Sequence, residues 1–320
     1  MPFTFDSVLV TGGSGFIGSH TVDALLEKGA KVWVLDDLST GSLLNLKRWK
    51  NDSKLHLTRG TVTNRRTVET LVRKVDSIIH LGAIVSPFIS TRQPELTNRV
   101  NVDGTLNVLR TGLKGGIQRI VFASSSSVYG NTRRTRVSED VPLNPTTPYG
   151  VSKLSAEKYC QVFYNTYGLE TVSLRYFNVY GPRQSANPYS GVIAIFASRL
   201  LTGRRPIIYG DGNQTRDFIN VEDVARANIL ALQSRRGFGE ALNVGTGMAT
   251  SVKALCYLLE TITMTRHIRP VCGKERPSDI RDSCANISKT KTCLGFRPRV
   301  DLKTGLTSLV HSLGARSAER

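Results

Sequence analysis

The segment VLVTGGSGFIGSH, residues 8–20, constrains the fold of this chain more than any other segment. A short apolar, β-branched run leads into glycines spaced three apart, and a helical pattern follows. Glycines permit a tight turn and a close approach of the backbone to a pyrophosphate, while the helix N-terminus supplies free N–H groups. Its place between a strand and a helix strengthens a signal that is weak alone. The segment therefore predicts a dinucleotide-binding turn formed by Gly12, Gly15, Phe16, Ile17 and Gly18.

Strand-like runs alternate with helical patterns through the first 180 residues. This alternation predicts parallel strands joined by crossover helices that cover both faces of a sheet. The pattern loosens after residue 180, with helical stretches near 191–203, 221–234 and 251–263. The predicted fold is α/β, a Rossmann-like doubly wound parallel sheet with a smaller C-terminal substrate-binding domain. The predicted strands are SVLVT (7–11), KVWVLD (31–36), KLHLTR (54–59), DSIIHL (76–81), RIVFAS (119–124) and TVSLRYF (171–177).

Composition narrows the class of protein. Of the 320 residues, 40% are hydrophobic, enough for a large core, and no apolar run is long enough to span a membrane. The first residues lack the basic start and apolar middle of a signal peptide. The five cysteines form no C-x-x-C pair, so we expect neither a metal site nor a disulfide framework. A reducing cytoplasm fits best.

The net charge of +18 raises the question of nucleic acid. The basic residues are spread along the chain, and their densest cluster is RRTR at 133–136. A nucleic-acid binder concentrates its basic charge and adds a recognisable module, and no such module is evident. We therefore expect no nucleic-acid partner and interpret the charge as a basic surface that could attract a polyanionic small substrate.

Two carboxylates close the second predicted strand. Asp36 and Asp37 follow Gly18 by 18 and 19 residues. A carboxylate at this spacing accepts hydrogen bonds from the adenosine ribose hydroxyls and repels a 2′-phosphate. The spacing therefore favours NAD over NADP.

A tyrosine and a lysine stand four residues apart in TPYGVSKLSAEKY. With Pro148 in the first turn and Thr147 as N-cap, Tyr149 and Lys153 would share one face of a helix. A nearby ammonium would lower the pKa of the phenol from about 10 toward the range of a general base. The run Ser124–Ser127 ends the fifth predicted strand, where ligands bind in open α/β sheets. These features together predict a proton-transfer site.

Motifs along nearly the whole chain resemble one family. The chain is similar to the extended short-chain dehydrogenases/reductases of the nucleotide-sugar epimerase/dehydratase group, and most similar to UDP-glucose 4-epimerases. The motifs that carry the resemblance are VTGGSGFIG, VLDDLSTG, NVDGTLNVL, SSVYG, PYGVSK, LRYFNVYGPRQ, YGDGNQTRDFINVEDVA, LNVGTG and ANISK.

The resemblance implies roles for individual residues. Tyr149 would be the catalytic base and acid, Lys153 its partner and a ribose ligand, and Ser125 the hydroxyl on the substrate's O4. Arg216 and Arg276 would clamp the diphosphate, because a planar guanidinium can bind two phosphate oxygens at once. Further NAD contacts would come from Asp36, Asp37, Ser39, Leu81, Gly82, Ala83, Asn101, Tyr176 and Phe177. The implied substrate-binding residues are Ser126, Asn178, Gly191, Val192, Tyr209, Arg216, Arg276, Asp279 and Ser283.

The same resemblance implies the domain organisation and the assembly. Residues 1–180 would form the NAD-binding domain, with segments near 210–245 extending the sheet. Residues 181–320 would mainly form the nucleotide-sugar-binding domain. The helices around 94–114 and 148–167 carry apolar residues beyond one buried stripe, and in this family such helices pair in a homodimer.

The chain also departs from the family pattern at three places. The third strand is followed by Gly60-Thr61 where Gly-Asp is usual, which puts one adenine contact in doubt. Gly82 replaces a usual alanine, and Val85 stands where some epimerases have a lysine. None of these changes removes a catalytic group.

The implied reaction is NAD-dependent 4-epimerisation of UDP-hexoses through a 4-keto intermediate. Small residues at 191 and 283 would leave room for an acetamido group, so UDP-GlcNAc/UDP-GalNAc would react as well as UDP-glucose/UDP-galactose. Three alternatives stay open: a UDP-glucuronate 4-epimerase, a nucleotide-sugar 4,6-dehydratase and a non-catalytic NAD-binding scaffold. Dehydratases carry an Asp-Glu pair after the catalytic hydroxyl, and here Ser126 and Ser127 stand at those positions.

Overall fold

A seven-stranded parallel sheet forms the centre of the protein. The computed structural model describes residues 5–132, 134–185, 191–275 and 280–318, with side chains to residue 314. In spatial order the strands of this sheet are β3 (Leu55–Arg59), β2 (Lys31–Asp36), β1 (Ser7–Thr11), β4 (Ser77–His80), β5 (Arg119–Ser125), β6 (Glu170–Tyr176) and β10 (Glu240–Val244).

Neighbouring strands of the sheet all run parallel. The order 3-2-1-4-5-6 is that of a doubly wound dinucleotide-binding fold, so the predicted fold class is confirmed. The order in which successive strands are added to the sheet changes direction between β1 and β4. Folds of this type bind ligands at the carboxyl ends of the strands at that point. The first six strands match the predicted ones to within one residue at most ends, and β6 begins and ends one residue earlier.

Eleven α-helices are present in the described part of the chain. Two 3₁₀ helices also occur, at Leu43–Trp49 after β2 and at Ser126–Tyr129 after β5. The α-helices are α1 (Phe16–Glu27), α2 (Arg65–Val72), α3 (Pro87–Arg92), α4 (Pro94–Asn98), α5 (Gly104–Lys114), α6 (Pro148–Tyr167), α7 (Val192–Leu201), α8 (Val221–Gln233), α9 (Val252–Ile262), α10 (Ser288–Leu294) and α11 (Leu302–Ala318).

Helices cover both faces of the central sheet. Alternate residues of β1 point to opposite faces, as the two-residue period of a strand requires. Val8 and Val10 belong to one core cluster, together with Val22 and Leu25 of α1 and Val224 of α8. Leu9 belongs to the other cluster, together with residues of α2, α5 and α6. Strands buried on both faces explain the continuous apolar runs of the sequence.

The region after residue 180 builds two small sheets and a third core. One sheet has the order β11 (Ala249–Ser251), β9 (Thr215–Asn220), β7 (Asn178–Tyr180), and the other pairs β12 (Val271–Gly273) with β8 (Ile207–Tyr209). Apolar residues of α7, α9 and α11 form the third core. β10 adds a late segment to the central sheet, whereas β9 belongs to a separate small sheet. The domain organisation with a boundary at residue 180 stays a prediction.

Helix boundaries differ from prediction in two places. The segment SHTVDALLEKG (19–29) has the pattern of a crossover helix, but α1 begins three residues earlier, at Phe16, because Gly15 already acts as its N-cap. The segment 94–114 is interrupted, since a π-helical turn at Arg99–Asp103 separates α4 from α5. Such turns concentrate at functional sites. Within the described ranges, no helix is sufficiently long and apolar to traverse a lipid bilayer.

Candidate active site

The turn between β1 and α1 can be made only by glycine at two positions. Gly12 has φ +69°, and a Cβ there would lie 2.9 Å from the backbone nitrogen of Gly82. A Cβ on Gly18 would lie 2.0 Å from the carbonyl oxygen of Gly12. Helix α1 therefore packs directly against the turn that precedes it, which brings its N-terminus to the carboxyl edge of the sheet.

The N-terminus of α1 is suited to a pyrophosphate. Its N-cap is Gly15, which provides no side chain to occupy the first N–H groups. The hydroxyl of Ser14 is buried in the same turn and has no hydrogen-bond partner among the described residues. Phe16 and Ile17 form the half-buried first turn. Unpaired donors at a helix N-terminus fit the anionic centre of NAD.

Asp36 has a structural task that the sequence did not reveal. Its Oδ2 accepts the N–H of Ser14 at 2.9 Å, and its Oδ1 accepts the N–H of Leu38 at 2.8 Å. Burial raises the pKa of this carboxyl, and these hydrogen bonds act in the opposite direction. Asp36 thus fastens the end of β2 to the glycine turn, and its remaining lone pairs can accept ribose hydroxyls.

Asp37 and Ser39 lie on the surface beside this carboxylate. Both are exposed, and Asp37 Oδ1 accepts the N–H of Ser39 at 2.9 Å. Their predicted contacts with the adenosine half of NAD stay predictions. They border the same edge of the sheet as Asp36, the edge where the glycine turn lies.

A chain of hydrogen bonds links the end of β1 to the end of β4 and to α5. The N–H of Gly82 donates to Thr11 Oγ1 at 3.0 Å, and Thr11 Oγ1 lies 2.6 Å from His80 Nδ1. His80 Nε2 lies 3.0 Å from the Oγ1 of Thr105, whose hydroxyl donates to the carbonyl of Asn101 at 2.6 Å. Since the Thr105 proton is used in that bond, Nε2 carries the imidazole proton and Nδ1 accepts. The chain fixes the segment that contains Leu81, Gly82 and Ala83.

Asn101 lies in the π-helical turn, and its side chain is occupied by protein groups. Its Oδ1 accepts the N–H of Ile84 at 2.8 Å, and its Nδ2 donates to the carbonyl of Ile84 and to Ser152 Oγ, both at 2.9 Å. The Ser152 hydroxyl donates to the carbonyl of Tyr149 at 2.8 Å. Asn101 therefore ties the wall after β4 to the start of α6, and its direct contact with nicotinamide stays a prediction.

His80 should make the protein acid-sensitive. Burial and the nearby Lys153 charge lower the pKa of His80 to about 3 from 6.5. The stability that depends on neutral His80 is complete above pH 6.5 and is lost as pH falls toward 3. We expect this residue to account for about 2 kcal/mol of the stability lost between pH 7 and pH 5. Urea unfolding of wild type and His80→Gln at both pH values measures this difference.

The control for this measurement is His267→Gln, which changes an exposed histidine. That variant should lose as much stability as wild type between the two pH values. An equal loss in His80→Gln would contradict the assignment of acid sensitivity to the buried imidazole.

The predicted tyrosine–lysine pair lies at the start of α6. Thr147 is the N-cap, since its side chain accepts the N–H of Gly150 at 3.1 Å, as the sequence predicts. Tyr149 and Lys153 lie one turn apart and are buried. The side chain of Ser125, the last residue of β5, lies next to the phenol of Tyr149 and acts to lower the pKa of that phenol. The structure therefore brings the three predicted catalytic residues to one place.

The hydroxyl of Ser125 is oriented by the turn that follows it. Its Oγ accepts the N–H of Ser127 at 3.1 Å and the hydroxyl of Ser127 at 2.9 Å. With both lone pairs used, the Ser125 hydroxyl is left to act as a hydrogen-bond donor. Ser126 is half-buried in the same turn.

Burial dominates the electrostatics of the pair. Burial raises the pKa of the Tyr149 phenol, and the hydrogen bond with Ser125 acts in the opposite direction. Burial also lowers the pKa of Lys153 to about 7, and its Nζ donates to the carbonyl of Ala123 at 2.8 Å. The expected net lowering of the phenol pKa is wrong in direction, because burial, which disfavours the charged phenolate, is the largest effect on Tyr149.

The residues after β6 connect the site to the smaller sheet. Tyr176 is buried, and its hydroxyl donates to Asn228 Oδ1 on α8 at 2.5 Å. Phe177 is buried beside Tyr129. Asn178 begins β7 and donates to the carbonyl of Asp217 at 3.3 Å. The roles of these side chains toward nicotinamide or sugar stay predictions.

Most of the predicted substrate residues that the structure describes belong to segments that follow β6 along the chain. Tyr209 ends β8, with its ring against the backbone of Gly273. Arg216 on β9 donates to the carbonyl of Ile280 at 2.6 Å, next to the segment that carries half-buried Ser283. Gly191 is the N-cap of α7 and Val192 its first residue. Arg276 and Asp279 lie outside the described residues.

Asp217 was missed by sequence reasoning although it organises this region. Its Oδ1 accepts the N–H and the hydroxyl of Thr246 at 2.8 and 2.6 Å. Its Oδ2 accepts the N–H groups of Gly247 and Ala285 at 2.9 and 3.0 Å. One buried carboxylate thus holds the loop after β10 and the segment after Ser283 against β9. The adjacent arginine in TRDF, Arg216, is the residue that the motif indicates as a phosphate ligand. The role of Asp217 depends on residues that are distant in sequence, so the motif does not predict it.

The fold is that of an α/β enzyme with a glycine turn of the dinucleotide-binding type, and it brings a serine, a tyrosine and a lysine together at the end of β5. The model of the NAD dependent epimerase/dehydratase family matches residues 8–245. The chain belongs to this family.

Known proteins similar to this chain support the same placement. It is 39% identical over 306 residues to a putative UDP-glucose 4-epimerase of Methanocaldococcus jannaschii, covering 95% of this chain and 97% of that protein. A UDP-glucose 4-epimerase of Thermotoga maritima, solved with UDP-glucose, superposes with a TM-score of 0.91 at 38% identity, covering 98% of this chain and 100% of the other. A UDP-N-acetylglucosamine 4-epimerase of Methanobrevibacter ruminantium, in complex with UDP-N-acetylmuramic acid, gives 0.93 at 36% identity, covering 97% and 99%.

These findings confirm three predictions made from the sequence. The resemblance to the epimerase/dehydratase group is confirmed, and so is NAD as the cofactor of this family. The third is that the protein is an enzyme: its homologues are UDP-glucose 4-epimerases, which are isomerases.

Proposed function

We propose that this enzyme interconverts the C4 epimers of UDP-hexoses through a 4-keto sugar. The observation that carries the proposal is the position of the Ser125 hydroxyl next to the buried phenol of Tyr149, at the carboxyl edge of the sheet that carries the glycine turn. A phenol and a hydroxyl in contact can together remove a proton from a sugar alcohol and later return it.

The residues of this chain divide the proton chemistry between them. Tyr149 takes the proton of the 4-hydroxyl and gives it back to the same oxygen. Ser125, oriented by Ser127, donates a hydrogen bond that stabilises the phenolate. Lys153 adds positive charge next to the site when it is protonated. NAD, held by the glycine turn and Asp36, supplies a reversible hydride acceptor when bound.

The side chains after Ser125 favour epimerisation over dehydration. A 4,6-dehydratase needs an acid and a base beyond the catalytic hydroxyl, and positions 126 and 127 carry serines. The hydroxyl of Ser127 already donates to Ser125. An unperturbed aliphatic hydroxyl transfers protons poorly at neutral pH, so this turn does not support elimination across C5 and C6.

Incubation with a panel of UDP-sugars tests the proposal. The panel contains UDP-glucose, UDP-galactose, their N-acetylated counterparts and UDP-glucuronic acid, and the C4 epimers are separated by chromatography. We expect equilibrium mixtures from the four neutral sugars. Turnover of UDP-glucuronic acid alone would replace the proposal by the uronate alternative, and release of water with a 4-keto-6-deoxy product would replace it by dehydration.

Small residues at two wall positions should admit N-acetylated sugars. Ser283 is half-buried, and a Cβ on Gly191 would come no closer than 3.5 Å to Gln184. In Ser283→Tyr we expect the phenol ring to fill the space of the acetamido group. The variant should lose turnover of UDP-GlcNAc/UDP-GalNAc and keep that of UDP-glucose/UDP-galactose, measured as kcat/KM for both pairs.

Ser283→Ala is the matched control for this substitution, since it removes the hydroxyl without adding bulk. It should keep both pairs. A wild type without activity on UDP-GlcNAc, or a tyrosine variant with an unchanged ratio between the pairs, would contradict the pocket argument.

We also propose a cytoplasmic homodimer. Helix α6 presents Val151 and Val162 to solvent at 50% and 48% exposure, in addition to its buried face. A second copy of the chain could cover these apolar side chains. The five cysteines are all free thiols, in keeping with a reducing compartment.

A further inference from the structure

Helix α6 carries a third buried functional group on the face of the catalytic pair. Tyr149, Lys153 and Glu157 follow at intervals of four residues, and their exposures are 9%, 3% and 4%. Residues at this spacing share one face of a helix. The reaction proposed above uses the first two side chains and leaves the carboxylate of Glu157 without a task.

Glu157 joins α6 to the neighbouring strands β5 and β6 of the central sheet. Arg175 of β6 donates from Nη2 to Glu157 Oε1 at 2.6 Å and from Nε to Oε2 at 3.0 Å. The hydroxyl of Ser124 on β5 donates to the same Oε2 at 2.6 Å. One turn earlier, Lys153 donates to the carbonyl of Ala123. The helix is therefore held at consecutive residues of β5, and the next residue is Ser125.

The arginine is itself held from the far side. Its Nη1 donates to the hydroxyl of Tyr129 at 2.8 Å and to the carbonyl of Glu139 at 3.1 Å. The hydroxyl of Tyr129 donates to Asn243 Oδ1 on β10 at 2.6 Å. The ion pair thus has a fixed position relative to three strands of the sheet and to the turn after Ser125.

Stability alone does not account for a buried ion pair. Replacing such a pair by apolar residues of similar volume is often neutral or stabilising, because burial of two charges is costly. A buried, charged and fully hydrogen-bonded group does have one property that an apolar contact lacks: it defines direction and distance narrowly. Here the hydrogen bond between Glu157 and Ser124 fixes the position of α6 along β5.

We propose that Ser124 and Glu157 are positioning residues that set the distance between the hydroxyls of Ser125 and Tyr149. Ser125 belongs to β5 and Tyr149 to α6, and the Ser124–Glu157 bond links these two elements directly. The inference rests on the proposed function, because that distance matters for proton transfer at the sugar 4-hydroxyl. A misplacement of about 1 Å can lower a rate 100-fold.

The first test is Ser124→Ala, compared with Thr171→Val. Both remove a buried hydroxyl that bonds a strand to α6, since Thr171 on β6 donates to the carbonyl of Cys160 at 2.7 Å. The control lies at the end of α6 remote from the catalytic pair. We expect Ser124→Ala to lower kcat by about 10- to 100-fold, with KM and bound NAD unchanged. Thr171→Val should keep kcat within about twofold.

The second test compares two carboxylates, each of which pairs with an arginine of β5 or β6. Glu157→Gln disrupts the pair beside the site, and Glu170→Gln disrupts the pair that Arg119 of β5 forms with Glu170 of β6 at 2.6 Å. The latter lies at the opposite ends of these strands. At a temperature well below both melting transitions, kcat should fall only in Glu157→Gln.

A readout without substrate separates this inference from the proposed function. In protein labelled with ¹³C at the tyrosine ζ-carbon, the Tyr149 signal, assigned by its loss in Tyr149→Phe, reports the surroundings of the phenol oxygen, including the position of the Ser125 hydroxyl. The signal should move in Ser124→Ala and stay in Thr171→Val. A wild type that turns over no nucleotide sugar would refute the proposed function, and this signal would still decide the positioning role.

Three results would overturn the positioning role. They are wild-type kcat in Ser124→Ala, a change confined to KM, and a Tyr149 signal that is the same in both hydroxyl variants. A fall in kcat of equal size in Glu157→Gln and Glu170→Gln would likewise assign the ion pair to general stability.

Discussion

Tyr149→Phe is expected to lower kcat by about 10²- to 10⁴-fold, the loss typical of a removed general acid–base. The substitution deletes one oxygen, the phenol oxygen that lies next to the hydroxyl of Ser125. The phenylalanine ring keeps the buried volume at the start of α6, so fold and NAD content should be retained. The measurements are single-turnover rates with UDP-galactose and the amount of NAD released from denatured protein.

Tyr159→Phe is the matched control on the same helix. Tyr159 is 39% exposed, and its ring lies outside the buried face that carries Tyr149. It should keep wild-type kcat. Turnover near wild type in Tyr149→Phe would remove the residue from the proton chemistry.

Gly18→Ala should weaken NAD binding by about 10- to 100-fold, because a Cβ at this position costs roughly 1–3 kcal/mol of strain. The Cβ would lie 2.0 Å from the carbonyl oxygen of Gly12 and 2.8 Å from the Cα of Gly13. These are backbone atoms, so no side-chain rotation relieves the contact. The turn must move away from α1, and the N–H groups that would face the pyrophosphate move with it.

The measurement is NAD affinity by isothermal titration after removal of bound cofactor, with circular dichroism to establish folding. Gly314→Ala in α11 is the control, since a Cβ there meets no atom within 4 Å. It should bind NAD as wild type does. Full affinity in Gly18→Ala would show that the close approach of α1 to the turn is not needed for the cofactor.

Local rules explain which parts of the fold could be predicted from sequence. The apolar strands and the helix patterns between them follow from side-chain periodicity, and this placed β1, β2 and β5 within a residue of their observed bounds. Gly12 and Gly18 mark the turn because backbone sterics admit no other residue there. Thr147 and Pro148 mark the start of α6 because capping depends on adjacent residues alone. The spacing of Tyr149 and Lys153 then determined that they share a face.

Only the tertiary structure decided what depends on distant partners. The sign of the pKa shift of Tyr149 follows from its burial, which spacing along a helix does not reveal. Asp217 acts through loops up to 68 residues away, and Glu157 through strands on either side of α6. Asp36 holds the glycine turn through its bonds to Ser14 and Leu38, and its contact with a ribose stays a prediction. Such roles arise from packing between elements, and packing brings together residues whose neighbours in sequence carry no trace of the contact.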